Sequence, residues 1–331
     1  MVEAKFVKDY APFKGWTGFA VRGAFGAVLK NLLCPEPSKS CSTCPAARNC
    51  YYAYIFETRS TLMPDAQIAA KSGKSGVTKL YVVTPAYVKG NKLTYSITLF
   101  GAKAIKAEPH IIMAIMGMGV EGLGYDPLKA ERRKFTIDKI VASDMLGNKH
   151  QVYDKNQGYN YRIQKVVEEN KPILAYFEEK AQKIIDSRPE KLMVVFKTPT
   201  KLRRQSRTLT KPTLQDIIAH VARKYSLLAH YHNLGPPLTP KKAKQLQETA
   251  QNATLISYKY RRHQLQKHSL EQQIERELGL FITGTYTYAL KPKIWRSKNT
   301  KLLLQLLLLA EHTNVGALTT AGCGKIELYW R

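Results

Sequence analysis

The sequence predicts an α+β chain made of two successive β-α-β-β-α-β units. Three observations carry this expectation. The chain has 331 residues, 44% of them hydrophobic, which is long for one core and enough to fold two domains. Runs that alternate every second residue, as half-buried strands do, are interspersed with apolar segments of helical period. The two halves also end alike: an apolar helix, a Gly-rich loop, a basic residue and a strand recur at residues 111–140 and 302–330. The boundary is expected near residues 187–190, giving domains 1–189 and 190–331.

In chain order, a short extended segment leads into Arg22-Gly-Ala-Phe-Gly26 and a helix to residue 33. A cysteine segment occupies 34–50. Strands are expected at 79–84 and 92–100, a helix at 109–118 with Pro109 in its first turn, and a strand at 132–140. Residues 143–190 are polar, with a short helix expected at 173–186. The second half opens with the strand 191–197 (KLMVVFK) and a basic turn. A helix at 213–230, a Pro- and Lys-rich insertion at 236–244, a strand at 280–290, a helix at 301–311 and a strand at 326–330 complete it.

Lys and Arg outnumber Asp and Glu by 52 to 25, a formal charge of +27. Self-repulsion on that scale opposes compaction, so the charge points to a polyanionic partner, nucleic acid first. It is uneven: residues 191–331 hold 24 basic against 7 acidic residues, residues 1–190 hold 28 against 18. The N-terminus has no basic-then-apolar signal pattern. The longest apolar run, residues 302–310, is too short for a membrane span. A cytoplasmic protein without membrane partners is expected.

Cys34-x6-Cys41-x2-Cys44-x5-Cys50 is the sharpest local pattern. Four thiolates can satisfy tetrahedral Zn(II), and a closed site of that kind is structural. Buried thiols and an iron–sulfur cluster are the alternatives. At the other end, Gly316, Gly322 and Gly324 form a loop after an apolar helix and before the last strand, with Lys325 next in the chain. Few side chains obstruct its amides, which favours approach to a phosphate. Lys201, Arg203, Arg204 and Arg207 come directly after a core strand. Tyr258-Lys-Tyr-Arg261-Arg262-His263 interleaves aromatics with cations, as base stacking with backbone neutralisation requires. Of eight histidines, His312 lies nearest the glycine loop and is the candidate general acid or base. No Walker loop, H-E-x-x-H or nucleophile elbow occurs.

Together the Arg22–Gly26 segment, the four cysteines, Gly122-Leu-Gly124 with Arg132 to Phe135, Phe196 to Pro199 and the 316–324 loop resemble the CRISPR-associated repeat-processing endoribonucleases of the RAMP superfamily. The resemblance implies tandem ferredoxin-like (RRM-like) domains with a small zinc-binding insertion at 34–50. It implies a cleft that binds CRISPR repeat RNA, with Arg132, Arg133, Arg261 and Arg262 among its cations. It further implies metal-independent cleavage to guide RNAs with 2′,3′-cyclic phosphate and 5′-OH ends, and other CRISPR effector subunits as partners. Many members carry a catalytic histidine near the first helix. Here Ala27 and Lys30 occupy that helix, so Arg22 and Lys30 join His312 as catalytic candidates. The alternatives are a non-catalytic RNA-binding RAMP subunit and a zinc-stabilised DNA-binding protein.

Overall fold

The computed structural model describes residues 1–41, 43–57, 78–145, 147–160, 171–269 and 274–331. The chain divides into two compact units, with the second running from Lys171 to Arg331. This division precedes the expected boundary. The segment 171–189 belongs to the second unit, because Phe177 packs on His312 and Glu178 pairs with Lys301.

In the first unit, β1 (Val2–Phe6), α1 (Gly18–Leu33), β2 (Tyr87–Lys89), β3 (Lys92–Tyr95), α2 (Glu108–Glu121) and β4 (Phe135–Ser143) succeed one another. The additional strands β5 (Lys149–Asp154) and β6 (Gly158–Tyr159) come after them. The sheet order is β6-β5-β4-β1-β3-β2, so β1 lies between β3 and β4, antiparallel to both. Stripping the two edge strands leaves second-third-first-fourth, the order of a β-α-β-β-α-β unit. The expected strand 92–100 breaks after Tyr95. Its second part, Ile97–Leu99, pairs with Tyr81–Val83 in a separate ribbon. The expected strand 132–140 is likewise cut at Lys134, and Glu131–Arg133 pairs back on Leu123–Asp126.

The second unit contains α3 (Glu178–Ser187), β7 (Lys191–Thr200), α4 (Leu214–His232), α5 (Pro240–Ala250), β8 (Ala253–Ser269), β9 (Ile274–Leu290), α6 (Thr300–Thr313) and β10 (Ile326–Trp330). Its sheet order, β8-β9-β7-β10, is again second-third-first-fourth and antiparallel throughout. Both units are therefore ferredoxin-like, and the repeat read from the sequence is a repeat of topology. In β7, Leu192, Val194 and Phe196 are buried on one face by the period-two rule. Leu303, Leu304 and Leu306 to Leu309 are all buried, so α6 is covered on more than one side. Thr213 caps α4 through a reciprocal pair with Asp216. From Pro240 on, the Pro- and Lys-rich insertion is a helix: Pro240 occupies its first turn, where it has no hydrogen bond to lose, and Thr239 caps it. No described helix is long and apolar enough to cross a membrane.

Candidate functional site

The glycine loop of the second unit is folded onto the end of β7. Ala317 N–H donates to Lys201 O at 3.1 Å, Gly324 N–H to Pro199 O at 3.0 Å, and Lys325 N–H to Thr198 Oγ1 at 2.9 Å. Gly316, Gly322 and Gly324 all have left-handed φ, near +78° to +79°. A β-carbon on Gly316 would lie 2.4 Å from Lys201 O, and one on Gly324 would lie 1.9 Å from Val315 O. The glycines are thus required by the close approach of the protein's own main chain. The sequence reading assigned that approach to phosphate. The amides of Gly322 and Gly324 point inward, to Thr319 O and Pro199 O.

From the loop, a basic strip continues along the chain. Arg203–Arg204 and Arg207–Thr208 form a two-stranded turn whose arginines are exposed. Leu209 N–H ties the turn back to Leu202 O, and His220 Nε2 accepts from Arg203 N–H at 3.1 Å. Arg204 pairs with Asp216 at 3.2 Å. Tyr286 and Tyr288 then fix the adjoining segment by donating to Thr210 O and Pro212 O. This brings the Lys211 ammonium 4.6 Å from the Tyr258 ring centroid.

The aromatic–basic run 258–263 is β-strand, not loop, and alternation splits it between two faces. Tyr258, Tyr260 and Arg262 lie opposite Tyr286, Gly284 and Ile282, while Lys259, Arg261 and His263 lie opposite Thr285, Thr283 and Phe281. On the first face Tyr258 and Tyr260 have ring centroids 6.0 Å apart, and Arg262 flanks Tyr260. On the second, His263 bonds to Thr283 Oγ1 at 2.7 Å, while Lys259 and Arg261 stay exposed.

Several expected contacts are turned inward. Lys201 is buried, with its ammonium on Leu278 O and against the Phe281 ring. Lys325 donates to Glu311 O at the end of α6. Arg133, 3% exposed, bonds to Ala11 O and Tyr125 O and faces the Phe13 ring. A guanidinium satisfied in this way is a brace for the 10–13 segment rather than an RNA contact, whereas its neighbour Arg132 is exposed. Burial pushes the Asp126 pKa up, but the amides of Ala11, Leu128 and Lys129, with Arg133 nearby, hold it below the usual range. His312 lies against Phe177, with ring centroids 5.5 Å apart. Burial, with Lys325 and Lys180 nearby, lowers its pKa to about 4. An imidazole of that pKa carries no proton to donate near neutrality.

In the first unit, the Arg22 guanidinium lies 5.0 Å from the Phe56 ring, and Lys30 donates to Lys39 O within the cysteine segment. Cys34 ends α1, and Cys41 is buried. Burial raises the Cys41 pKa, and Cys50 and Cys34 are near enough to add to the shift. As arranged, the four sulfurs do not form a ligand set: among the described residues no three His, Cys, Asp or Glu side chains are gathered to hold a metal.

Lys224 is the residue that the sequence reading missed. From α4 its ammonium donates to Thr313 O, to Asn314 O at 3.2 Å and to Thr319 Oγ1 at 3.1 Å, fastening the loop to the helix before it. The signal was present. Val221, Lys224, Tyr225 and Leu228 fill an i, i+3, i+4, i+7 stripe, so Lys224 occupies a position on the apolar face.

Two family models cover most of the chain. The AF_1859_N N-terminal domain spans residues 2–168, and the CRISPR-associated endoribonuclease Cas6 spans residues 194–326. No curated protein matches the sequence. Among solved structures, Thermus thermophilus Cas6 is similar with a TM-score of 0.52 at 15% identity, covering 99% of this chain and 97% of that one. A Cas6 product complex gives a TM-score of 0.51 at 16% identity over 99% and 98%. A partial Cas6-RT-Cas1–Cas2 complex gives 0.50 at 11% identity over 100% of this chain and 45% of that one. At such identities these structures show the shared fold. The model that covers half of the chain is that of the AF_1859_N N-terminal domain, so the chain belongs to that family, and its second unit matches the CRISPR-associated Cas6 endoribonuclease model.

Proposed function

We propose that the chain binds CRISPR repeat RNA and cleaves it without a catalytic metal. A ribose 2′-OH attacks the adjacent phosphate, and the 5′-oxygen leaves with a proton, giving 2′,3′-cyclic phosphate and 5′-OH ends. The basic strip of the second unit, from the glycine loop through Arg203, Arg204, Arg207 and Lys211 to Arg262, is the observation that carries this reading, with Lys259 and Arg261 exposed on the other face of β8. Exposed guanidinium forks on rigid strands suit phosphate contacts, and Tyr258 and Tyr260 offer rings to unpaired bases. Cations beside the scissile phosphate would stabilise the phosphorane, a role in which Arg22 and Lys30 remain the proposed groups of the first unit. The relatives' solved complexes, one with product and one with Cas1–Cas2, support RNA and other CRISPR proteins as partners.

A specific observation favours a second reading, in which the chain binds RNA without cutting it. The histidines of the strip and the loop are engaged: His220 with Arg203, His263 with Thr283 and His312 with Phe177. One experiment separates the two. Labelled repeat RNAs are incubated with the protein in excess EDTA, and the product's 3′ end is analysed. A cyclic phosphate at a single position supports the proposal. Binding without cleavage gives the second reading, and cleavage that stops with EDTA overturns the mechanism.

For the cysteine segment we propose a structural zinc, supported by the C-x2-C spacing of Cys41 and Cys44 between Cys34 and Cys50. Loading would have to draw the four sulfurs together, and no step of the cleavage passes through the ion.

A further inference from the structure

We propose that Lys224 is the positioning charge of the glycine loop: its ammonium, bonded to the loop and to the end of α6, holds the loop from beneath and faces the phosphate that the loop receives, so that RNA binding takes up a proton there. This rests on the RNA-binding reading above and adds a regulation of the same site.

The geometry comes first. The ammonium is enclosed by two carbonyls from the end of α6 and one loop hydroxyl, all of them neutral. The charged groups on the surrounding elements are committed elsewhere. Glu311 accepts from Leu328 N–H and from Lys180, His312 packs on Phe177, and Lys325 ends on Glu311 O. On α4 itself, His220 is bonded to Arg203, and Arg223 is partly buried. Cys323 in the loop is a buried thiol whose pKa burial raises to about 12, so it stays neutral. Lys224 is therefore a half-buried cation with no anion beside it among the described residues.

The consequence is a proton-binding equilibrium near neutrality. Burial alone lowers the Lys224 pKa to about 7. The neutral amine can keep the same three partners, donating to the two carbonyls and accepting from Thr319. Losing the proton therefore changes the charge beneath the loop more than the loop's shape. A phosphate on the outer face of the loop favours the charged form, and by linkage the charged form favours the phosphate. Stability runs the other way. Between about 7 and 10.5 the unfolded chain holds more protons than the folded one, so stability rises with pH in that window. A lysine with a merely structural role would show this stability trend and leave RNA affinity flat.

The test uses the full chain and 2′-O-methyl repeat RNA, which binds but cannot attack itself. Affinity is measured from pH 6 to pH 9 at fixed salt. In the wild type it should fall as pH rises, approaching about tenfold per unit above the pKa, the limit for one proton. K224R keeps its charge and should bind tightly with no such pH dependence. K224M should bind weakly and equally across the range. Thermal melts confirm that each variant folds. Should neither fold, calorimetry of the wild type at pH 7.5 in buffers of different ionisation enthalpy reads the proton uptake directly. Flat wild-type affinity, zero proton uptake, or a K224M that retains the wild-type pH profile overturns the inference. Absence of binding at every pH overturns the RNA reading and the inference with it.

Discussion

Lys201, Lys224 and Lys325 each end on main-chain carbonyls of the second unit, and Arg133 does the same in the first. Composition counts these four with the solvent-facing cations, because a side chain's direction depends on tertiary packing. Arg133 and Arg132 are adjacent in sequence, yet strand alternation buries one and exposes the other. The histidine chosen from its place along the chain sits in a packed environment for a related reason. His312 is close to the loop along the chain, but its ring lies against Phe177. Its depressed pKa has a measurable sign. The folded imidazole stays neutral down to about 4, whereas the unfolded one protonates near 6.5. Stability should therefore be lost as pH falls through that window. H312F should be less sensitive to acid there while keeping cleavage at pH 8 within a few-fold of wild type. Equilibrium denaturation at pH 7.5 and 5 checks the first part. A loss of about a hundredfold or more in cleavage rate would return His312 to the chemistry.

The β-α-β-β-α-β succession was legible because helices and strands leave different periods in the sequence. The hairpin β8–β9 was half missed. Its first strand was read only as an aromatic–basic run, because the strand carries polar groups on both faces over much of its length. Only pairing with β9, a long-range fact, reveals it. The glycine loop was found by composition, whereas the close approach of the protein's own main chain to its glycines shows only in the structure. Since a β-carbon on Gly324 would collide with Val315 O, Gly324→Ala should destabilise the fold itself. The left-handed φ alone costs on the order of 1–3 kcal/mol, and the collision adds to it. A denaturation midpoint equal to wild type would show that the loop has room to shift. The cysteine segment carries a separate expectation. Purified protein should contain about one zinc per chain, as a four-thiolate site requires. C41S should lower the melting temperature and release the metal, and cleavage in EDTA should persist. Protein that is free of metal and equally stable with and without chelator removes the ion from the account.

At the scale of the molecule, two copies of one topology carry unequal charge. The second half holds 24 basic against 7 acidic residues and the first 28 against 18, although both need the same kind of core to fold. Since the fold does not ask for the difference, it belongs to the surface and to a partner. Structure sharpens the inference. Both units pair some of their cations, Lys5 and Lys8 with Asp138 and Glu131 in the first and Lys197 and Lys301 with Glu327 and Glu178 in the second. In the second unit Arg203, Arg207, Lys211 and Arg262 are exposed along the strip. Removing these four as alanines should weaken RNA binding and flatten the plot of log affinity against log salt by roughly 0.7–0.9 per lost phosphate contact. Removing Lys89, Lys92, Lys129 and Lys155, exposed in the first unit, changes the net charge equally but should leave that slope nearly intact. Equal effects from the two sets would mean that RNA responds to total charge alone. A larger effect from the first set of residues would place the phosphates on the strip.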